Sequence, residues 1–222
     1  MTETDTPVRI DVISDVVCPW CFIGKRRLEK AVALNPDIPV EIHYHPFFLN
    51  EWIPAEGISR EHYLTAKFGS PERYNDIATR VAAAAAEDGL TYAIDKVSRQ
   101  PNTTDSHRLI YWAALEGKAA EMKQRLMELY FSEGADLSDR AALVKAAADV
   151  GLDADATQRK LSTDEDADVV AQRVEAAKSA GVQGVPFFII NNTFALSGAQ
   201  PPDQLAAVIK RAANEKDQKT AG

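Results

Sequence analysis

Two cysteines separated by two residues, Cys18 and Cys21, follow a strand-like segment and constrain this chain more than any other feature. A disulfide between them would close so short a loop that it would hardly restrain the unfolded chain, so the pair indicates chemistry rather than a structural bridge. Pro19 suits the first position of a helix, which places Cys18 at the N-cap. Free backbone N–H groups and the helix dipole favour a thiolate there. The spacing predicts Cys18 as an attacking thiol and Cys21 as the thiol that resolves a mixed disulfide.

The segments around this motif predict a strand–helix–strand unit. Val8–Ser14 alternates apolar and polar residues, as half-buried strands do. A helix fits from Pro19 to Leu34, where Asn35-Pro36 ends it, and Val40–Phe47 is typical of a second strand. The two strands are expected to be parallel, because a helix connects them.

Helix signals dominate the middle of the chain, from Ser59 to Ala180. Capping residues, prolines at first helical positions and glycine stops mark the boundaries. The predicted helices run from Ser59 to Gly69, Ser70 to Gly89, Asp105 to Glu116, Lys118 to Glu133, Asp139 to Val150, Asp155 to Leu161 and Thr163 to Gly181.

The last part returns to strands. Pro186–Ile190 and Thr193–Ser197 flank Asn191-Asn192, which favours a tight hairpin turn, and a closing helix fits Gln204–Ala213. The tail from Glu215 is expected to fray.

The element order, β-α-β, a helical block and then β-β-α, predicts an α/β protein with a thioredoxin fold and a mixed central sheet. Residues 1–58 and 181–222 would form the thioredoxin-like domain, and residues 59–180 a large inserted all-helical domain. The insertion is expected to cover the cysteines.

Val185-Pro186 lies in the glycine-flanked segment GVQGVPFFII, directly before a strand. Proline cannot donate to a sheet ladder and therefore opens strands rather than occupying their interior. Together with the strand, the Cys-x-x-Cys motif and the helix, this position predicts a cis Val185–Pro186 bond against the Cys18 sulfur. The backbone of Val185 could then pair with a substrate as a short extra strand.

Charge and composition limit the partners. A net charge of −8 and a pI of about 5.1 argue against nucleic acid, whose phosphates require a basic face. No apolar run approaches the ~20 residues that span a membrane. The polar, acidic first residues resemble no secretion signal, so a cytoplasmic location is expected.

Three segments resemble the FrnE-like branch of the DsbA family within the thioredoxin superfamily. They are SDVVCPWCFIGKRRLE, NTTDSHRLIYWA at residues 102–113, and GVQGVPFF with SGAQ at 197–200, within a resemblance that runs from about Val8 to Ala213. The resemblance implies a protein disulfide oxidoreductase that acts on protein or small-molecule thiols and disulfides through a redox-active Cys18–Cys21 disulfide, with no other cofactor and no metal.

The resemblance also implies substrate-binding positions. Pro19 and Trp20 lie inside the motif, and Val185 and Pro186 would shape the groove. Asn102, His107 and Arg108 would contribute a polar pocket at the start of a helix. Trp20 could equally pack against the inserted helices.

Several alternatives stay open. A related branch contains glutathione transferase kappa and 2-hydroxychromene-2-carboxylate isomerase. Those enzymes carry serine at the position of Cys18, so two cysteines favour redox chemistry, with glutathione still open as a co-substrate. A peptide-binding protein with incidental thiols is a third reading. His43 and His45 could complete a zinc site with the cysteines. The cations at 25, 26, 27 and 30 form either a solvated face or a field that attracts anionic thiols.

Overall fold

Four strands form a mixed sheet in the order β2-β1-β5-β6. The computed structural model describes residues 6–220, with side chains up to residue 215. The central strand β1 (Val8–Ser14) runs parallel to β2 (Val40–Pro46) and antiparallel to β5 (Phe187–Ile190), and β5 pairs antiparallel with β6 (Phe194–Ser197). The hairpin turn between β5 and β6 has positive φ at both central asparagines, 47° and 52°, which is the primed turn that the sequence predicted.

Two helices cover one face of the sheet. Helix α1 (Pro19–Ala33) and the last helix, α9 (Pro202–Thr220), pack against each other and against inward-facing residues of β1 and β5. The prediction that the closing helix ends at Ala213 and frays from Glu215 is wrong. The helix continues to Thr220, because the added residues are mostly good helix formers, and Arg211 pairs with Glu215 one turn along. The last two residues lie outside the described part.

The segment between β2 and β5 is helical but not entirely so. Its helices are α2 (Arg60–Phe68), α3 (Pro71–Glu87), α4 (Thr104–Leu115), α5 (Ala119–Glu128), α6 (Arg140–Asp149), α7 (Ala154–Leu161) and α8 (Ala167–Ser179). The expectation of an all-helical block missed a two-stranded ribbon, β3 (Ile58–Ser59) with β4 (Arg99–Gln100). The single helix predicted to end at Glu133 instead changes to a π-helical turn at Leu129–Glu133.

The helical segment packs over the cysteines, as predicted. Cys18, Cys21 and Phe22 of the first helix share one buried cluster with residues of α4, α5 and the π-helical turn. Phe131 of that turn stacks on Phe22, with ring centroids 5.3 Å apart. The division of the chain into two domains at residues 58 and 181 stays a prediction. Across residues 6–220, the helices are all too short or too polar to cross a membrane.

Candidate active site

Cys18 is the N-cap of α1, and Pro19 takes the first helical position, as predicted. The carbonyl of Cys18 accepts hydrogen bonds from the N–H groups of Cys21 and Phe22, at 3.0 and 3.2 Å. Its sulfur makes no capping hydrogen bond to the helix. Cys18 is only 3% exposed, so an incoming disulfide must approach through the groove beside it.

The two free thiols have different environments. Cys21 lies one turn inside the helix and is 1% exposed. Burial raises the pKa of the Cys21 thiol well above its usual value, and the hydrogen bond and charge of Cys18 raise it further. Cys21 therefore holds its proton while Cys18 reacts, which suits a resolving thiol.

The Val185–Pro186 bond is cis, as the sequence predicted. The carbonyl oxygen of Val185 lies 3.6 Å from the Cys18 sulfur, whose S–H donates to it. The carbonyl of Pro186 accepts from the Gly198 N–H at 2.8 Å, which ties this loop to the end of β6. Gly24 of α1 lies against the same loop, and a Cβ there would be 2.9 Å from Pro186 Cγ. A glycine at position 24 thus lets the helix approach the proline.

Beneath the thiols is a buried group of polar side chains that we call the buried relay: Asp15, His107 and Lys123. The Asp15 carboxylate accepts from the Leu49 N–H at 2.8 Å, and its other oxygen lies 3.2 Å from His107 Nε2. Burial lowers the pKa of His107, against the opposing effect of Asp15. His107 is therefore neutral at pH 7, with Asp15 fixing its orientation.

Lys123 of α5 is 1% exposed, which is rare for a lysine. Burial lowers its pKa from 10.5 to about 8, while the charge of Cys21 is the largest effect that opposes this change. In turn, Lys123 is a positive charge that lowers the pKa of Cys21. Its ammonium group lies 5.5 Å from the centre of the Tyr44 ring. The resolving thiol and a readily deprotonated amine thus influence each other inside the protein.

Each of the three polar residues predicted to bind substrate has partners inside the protein. Asn102 donates to the Ile53 carbonyl at 2.8 Å and accepts from the Thr104 N–H. His107 belongs to the buried relay. Arg108 is fully buried and bonds the Asp105 carboxylate together with three backbone carbonyls, those of residues 160, 163 and 165. Direct substrate contacts by Asn102, His107 and Arg108 stay a prediction.

The basic residues of α1 are largely engaged in ion pairs. Lys25 is buried and bonds Glu29 and Gln124, while Arg27 and Lys30 both bind Asp88. The solvated face considered from the sequence is therefore wrong for Lys25, and these pairs leave less free charge to attract anions.

The histidines weighed as zinc ligands have other partners. His45 lies 2.7 Å from Asp11 and His43 lies 3.1 Å from Glu41. Among the described residues, no group of three or more histidine, cysteine or acidic side chains is arranged to hold a metal ion.

Trp20, between the cysteines, is 38% exposed and lines a pocket of about 170 Å³ next to Cys18. Val17 and Pro19, which flank Cys18, line it too, and α2 and the π-helical turn form the opposite wall. Trp20 thus faces both solvent and the helical segment. The sequence had not pointed to this pocket, although Arg60, Tyr63 and Lys67 are spaced to share one face of a helix.

Comparison with known proteins places the chain in a family. The model described as a DSBA-like thioredoxin domain matches residues 9–210. The uncharacterized protein YwbO of Bacillus subtilis is 29% identical over 213 residues, which cover 96% of this chain and 98% of that protein.

Solved structures agree. A probable DsbA oxidoreductase of Streptomyces coelicolor is 31% identical, with a TM-score of 0.85 over 94% of this chain and 91% of that one. The cytosolic disulfide reductase DsbM of Pseudomonas aeruginosa, solved with GSH, shares the fold at 19% identity, with a TM-score of 0.65 over 91% of this chain and 98% of that one. The chain therefore belongs to the DsbA-like thioredoxin family.

Proposed function

We propose that this protein is a cytoplasmic thiol–disulfide oxidoreductase that works through Cys18 and Cys21. The observation that carries the proposal is the unequal pair: a thiol at the N-cap position of α1 beside the Val185 carbonyl, and a buried thiol one turn behind it. The Pseudomonas aeruginosa neighbour is named a cytosolic disulfide reductase. That name supports the proposed cytoplasmic location and the proposed disulfide exchange.

The reaction has two exchange steps. The Cys18 thiolate attacks one sulfur of a substrate disulfide, which forms a mixed disulfide and releases the first thiolate. Cys21 then loses its proton and attacks the Cys18 sulfur. The second substrate thiolate leaves, and Cys18 and Cys21 form a disulfide. Two electrons have passed to the substrate, and no cofactor beyond the cysteine pair is required. The reverse steps oxidise a dithiol.

The substrate lies between Trp20 and the cis-proline loop in this proposal. Its backbone or amide groups replace the Cys18 thiol as partner of the Val185 carbonyl, which aligns the scissile sulfur with Cys18. Pro19 and Pro186 shape the two sides of the groove. Glutathione is proposed as one thiol partner, on the grounds that a member of the same fold was solved with it.

Buried Lys123, whose charge acts on the Cys21 thiol, is proposed as the base for the second step. The thiol and the amine are both excluded from water, so direct contact with bulk base is restricted. A pKa of about 8 leaves a usable share of neutral amine at physiological pH, and the ion pair formed after proton transfer is mutually stabilising.

Two variants test the assignment. Cys21→Ser should accumulate a mixed disulfide on Cys18 when it meets a disulfide substrate, whereas Cys18→Ser should not react. Intact-protein mass spectrometry of the quenched mixtures reads both outcomes. The reverse pattern would exchange the roles of the cysteines, and full activity of Cys18→Ser would favour the peptide-binding alternative.

A further inference from the structure

The pocket beside Trp20 carries two cations that have no acidic partner. Arg60 donates to the Gln100 side-chain oxygen at 2.9 Å, and Lys67 donates to the Asn50 side-chain oxygen at 2.6 Å. Within residues 6–215, neither cation forms an ion pair, although the chain carries 33 acidic residues and a net charge of −8. By contrast, the cations of α1 that flank the motif are paired.

Aromatic rings hold these cations in place. The Arg60 guanidinium lies over both Tyr63 and Tyr74, 5.2 and 5.1 Å from the ring centres, and Lys67 lies 5.5 Å from the Tyr63 ring. Trp52, half exposed, also stacks with Tyr63, with ring centroids 6.3 Å apart. A guanidinium group stacked on aromatic rings is restricted in orientation, and an oriented guanidinium can bind a carboxylate in a bidentate manner.

Buried amides behind the cations are incompletely bonded. The oxygens of Asn50 and Gln100 accept from the two cations, but the amide nitrogens of both residues are buried without a hydrogen-bond partner in the described structure. Each amide keeps its oxygen on a cation although an unpaired buried N–H costs free energy. The arrangement therefore orients positive charge toward the pocket without neutralising it.

The pocket opens next to the reacting sulfur. Val17 and Pro19 line it on either side of Cys18, and the charge of Cys18 acts on both Lys67 and Tyr63. A ligand joined to Cys18 through sulfur would therefore have Arg60 and Lys67 in the adjoining pocket, where they could bind an anionic group of that ligand. A volume of about 170 Å³ suits a group of a few heavy atoms rather than a folded segment.

We propose that this pocket is a subsite for the carboxylate of a low-molecular-weight disulfide, and that Arg60 and Lys67 bind that carboxylate while Cys18 attacks the sulfur. The inference rests on the proposed disulfide exchange and names its substrate class. It predicts charge selectivity in a protein whose overall charge repels anions.

The test compares three symmetrical disulfides of similar size: 3,3′-dithiodipropionate, bis(2-hydroxyethyl) disulfide and cystamine. Second-order rates of oxidation of the reduced protein are measured by Trp fluorescence or by quenched mass spectrometry. Each rate is divided by the rate of the same probe with a free small thiol, which removes intrinsic reactivity. We expect this corrected rate to be highest for the anionic disulfide, lower for the neutral one and lowest for the cationic one. The preference for the anionic disulfide should shrink at high salt.

Arg60→Gln should reduce the ratio of the anionic to the neutral rate about tenfold, and Lys67→Gln, at the exposed mouth, about threefold. Arg211→Gln is the matched control, because its guanidinium also lies over an aromatic ring, that of Phe194, 4.9 Å away at the opposite end of the sheet. This control should keep the wild-type ratio. An unchanged ratio in Arg60→Gln, or a wild-type preference for cystamine, would overturn the subsite.

Two further experiments distinguish a failure of the subsite from a failure of the proposed disulfide exchange. Calorimetric binding of intact 3,3′-dithiodipropionate to Cys18→Ser reports on the subsite without any exchange. Binding there with no exchange in the wild type overturns the proposed function alone, whereas exchange without charge selectivity overturns the subsite alone. Peptide disulfides with Glu or Gln next to cysteine identify the source of the carboxylate. An Arg60-dependent preference found only among the peptides would overturn the assignment to small molecules.

Discussion

Replacing Lys123 with methionine should slow the second exchange step and leave the first one nearly intact. The buried Cys21 thiol must lose its proton before it attacks the mixed disulfide, and burial opposes that loss. Lys123 is the buried amine whose charge lowers the pKa of Cys21. Methionine keeps the length and apolar stem of the side chain but can neither accept the proton nor stabilise the thiolate.

The lowered pKa lets Lys123 act as a base near neutral pH, and the typical size of base catalysis gives the expected loss. An amine with a pKa of about 8 is neutral in about one molecule in ten at pH 7, whereas one at 10.5 is neutral in about one in three thousand. General-base catalysis is typically worth about 10²–10⁴ in rate. We expect a loss near the lower limit, about 100-fold, because His107 remains, and a cavity of about 20 Å³ lined by His107 and Lys123 has room for one water molecule.

The assay separates the two steps with 5,5′-dithiobis(2-nitrobenzoate) in a stopped-flow instrument. Attack by Cys18 releases the first coloured thiolate, and attack by Cys21 releases the second. In the wild type the second phase should accelerate with pH and level off above about pH 8, as Lys123 becomes neutral. In Lys123→Met it should keep rising with hydroxide concentration.

The control is Lys145→Met, which removes an exposed lysine of α6 paired with Asp149 and should change neither phase. A thermal melt checks that Lys123→Met is folded; methionine keeps most of the buried volume of the lysine side chain. A second phase with the wild-type rate and the wild-type pH profile in Lys123→Met would refute the role of Lys123.

Two further predictions concern stability. Gly24→Ala places a Cβ 2.9 Å from Pro186 Cγ, and overpacking of about 1–3 kcal/mol exceeds the ~1 kcal/mol that alanine gains over glycine in a helix, so urea unfolding should show a lower free energy of unfolding. An unchanged or higher free energy of unfolding would show that the proline loop can move away from the added methyl group without a loss of stability. Because burial lowers the pKa of His107 below 6.5, the unfolded state binds more protons just below that pH, and the free energy of unfolding should fall as the pH drops through this window. His107→Asn should flatten this part of the profile, and an identical slope would contradict the assignment.

Local patterns predicted those parts of the fold that local physics determines. Cys18 at the N-cap and the asparagine turn each follow from residues within a few positions of one another, whereas the cis bond before Pro186 was predicted only together with the distant Cys-x-x-Cys motif. The mixed sheet, with its first two strands parallel, followed from the sequence of elements. One error was also local in origin: the end of α9 was placed too early, because charged residues were taken for a frayed tail. The missed pairing of β3 with β4 joins residues about 40 positions apart.

The buried relay and the pocket were missed because their members are distant in sequence. Asp15 and His107 are 92 residues apart, and no pattern in either segment indicates their contact. Lys123 did leave a signal, since it lies three and four residues before Leu126 and Met127 and therefore on the buried stripe of α5. A lysine on such a stripe is a candidate functional residue.

The cysteines and the residues proposed to set their behaviour come from different parts of the chain. β1, α1 and the proline loop present the thiols, whereas α2, α4 and α5 supply Arg60, His107 and Lys123. We therefore expect substitutions in the helical segment to change which disulfides react, and at what pH, while the motif stays intact. Two relatives with identical cysteine motifs need not share a substrate, so the residues at positions 60, 67 and 123 are the ones to compare before an activity is transferred between them.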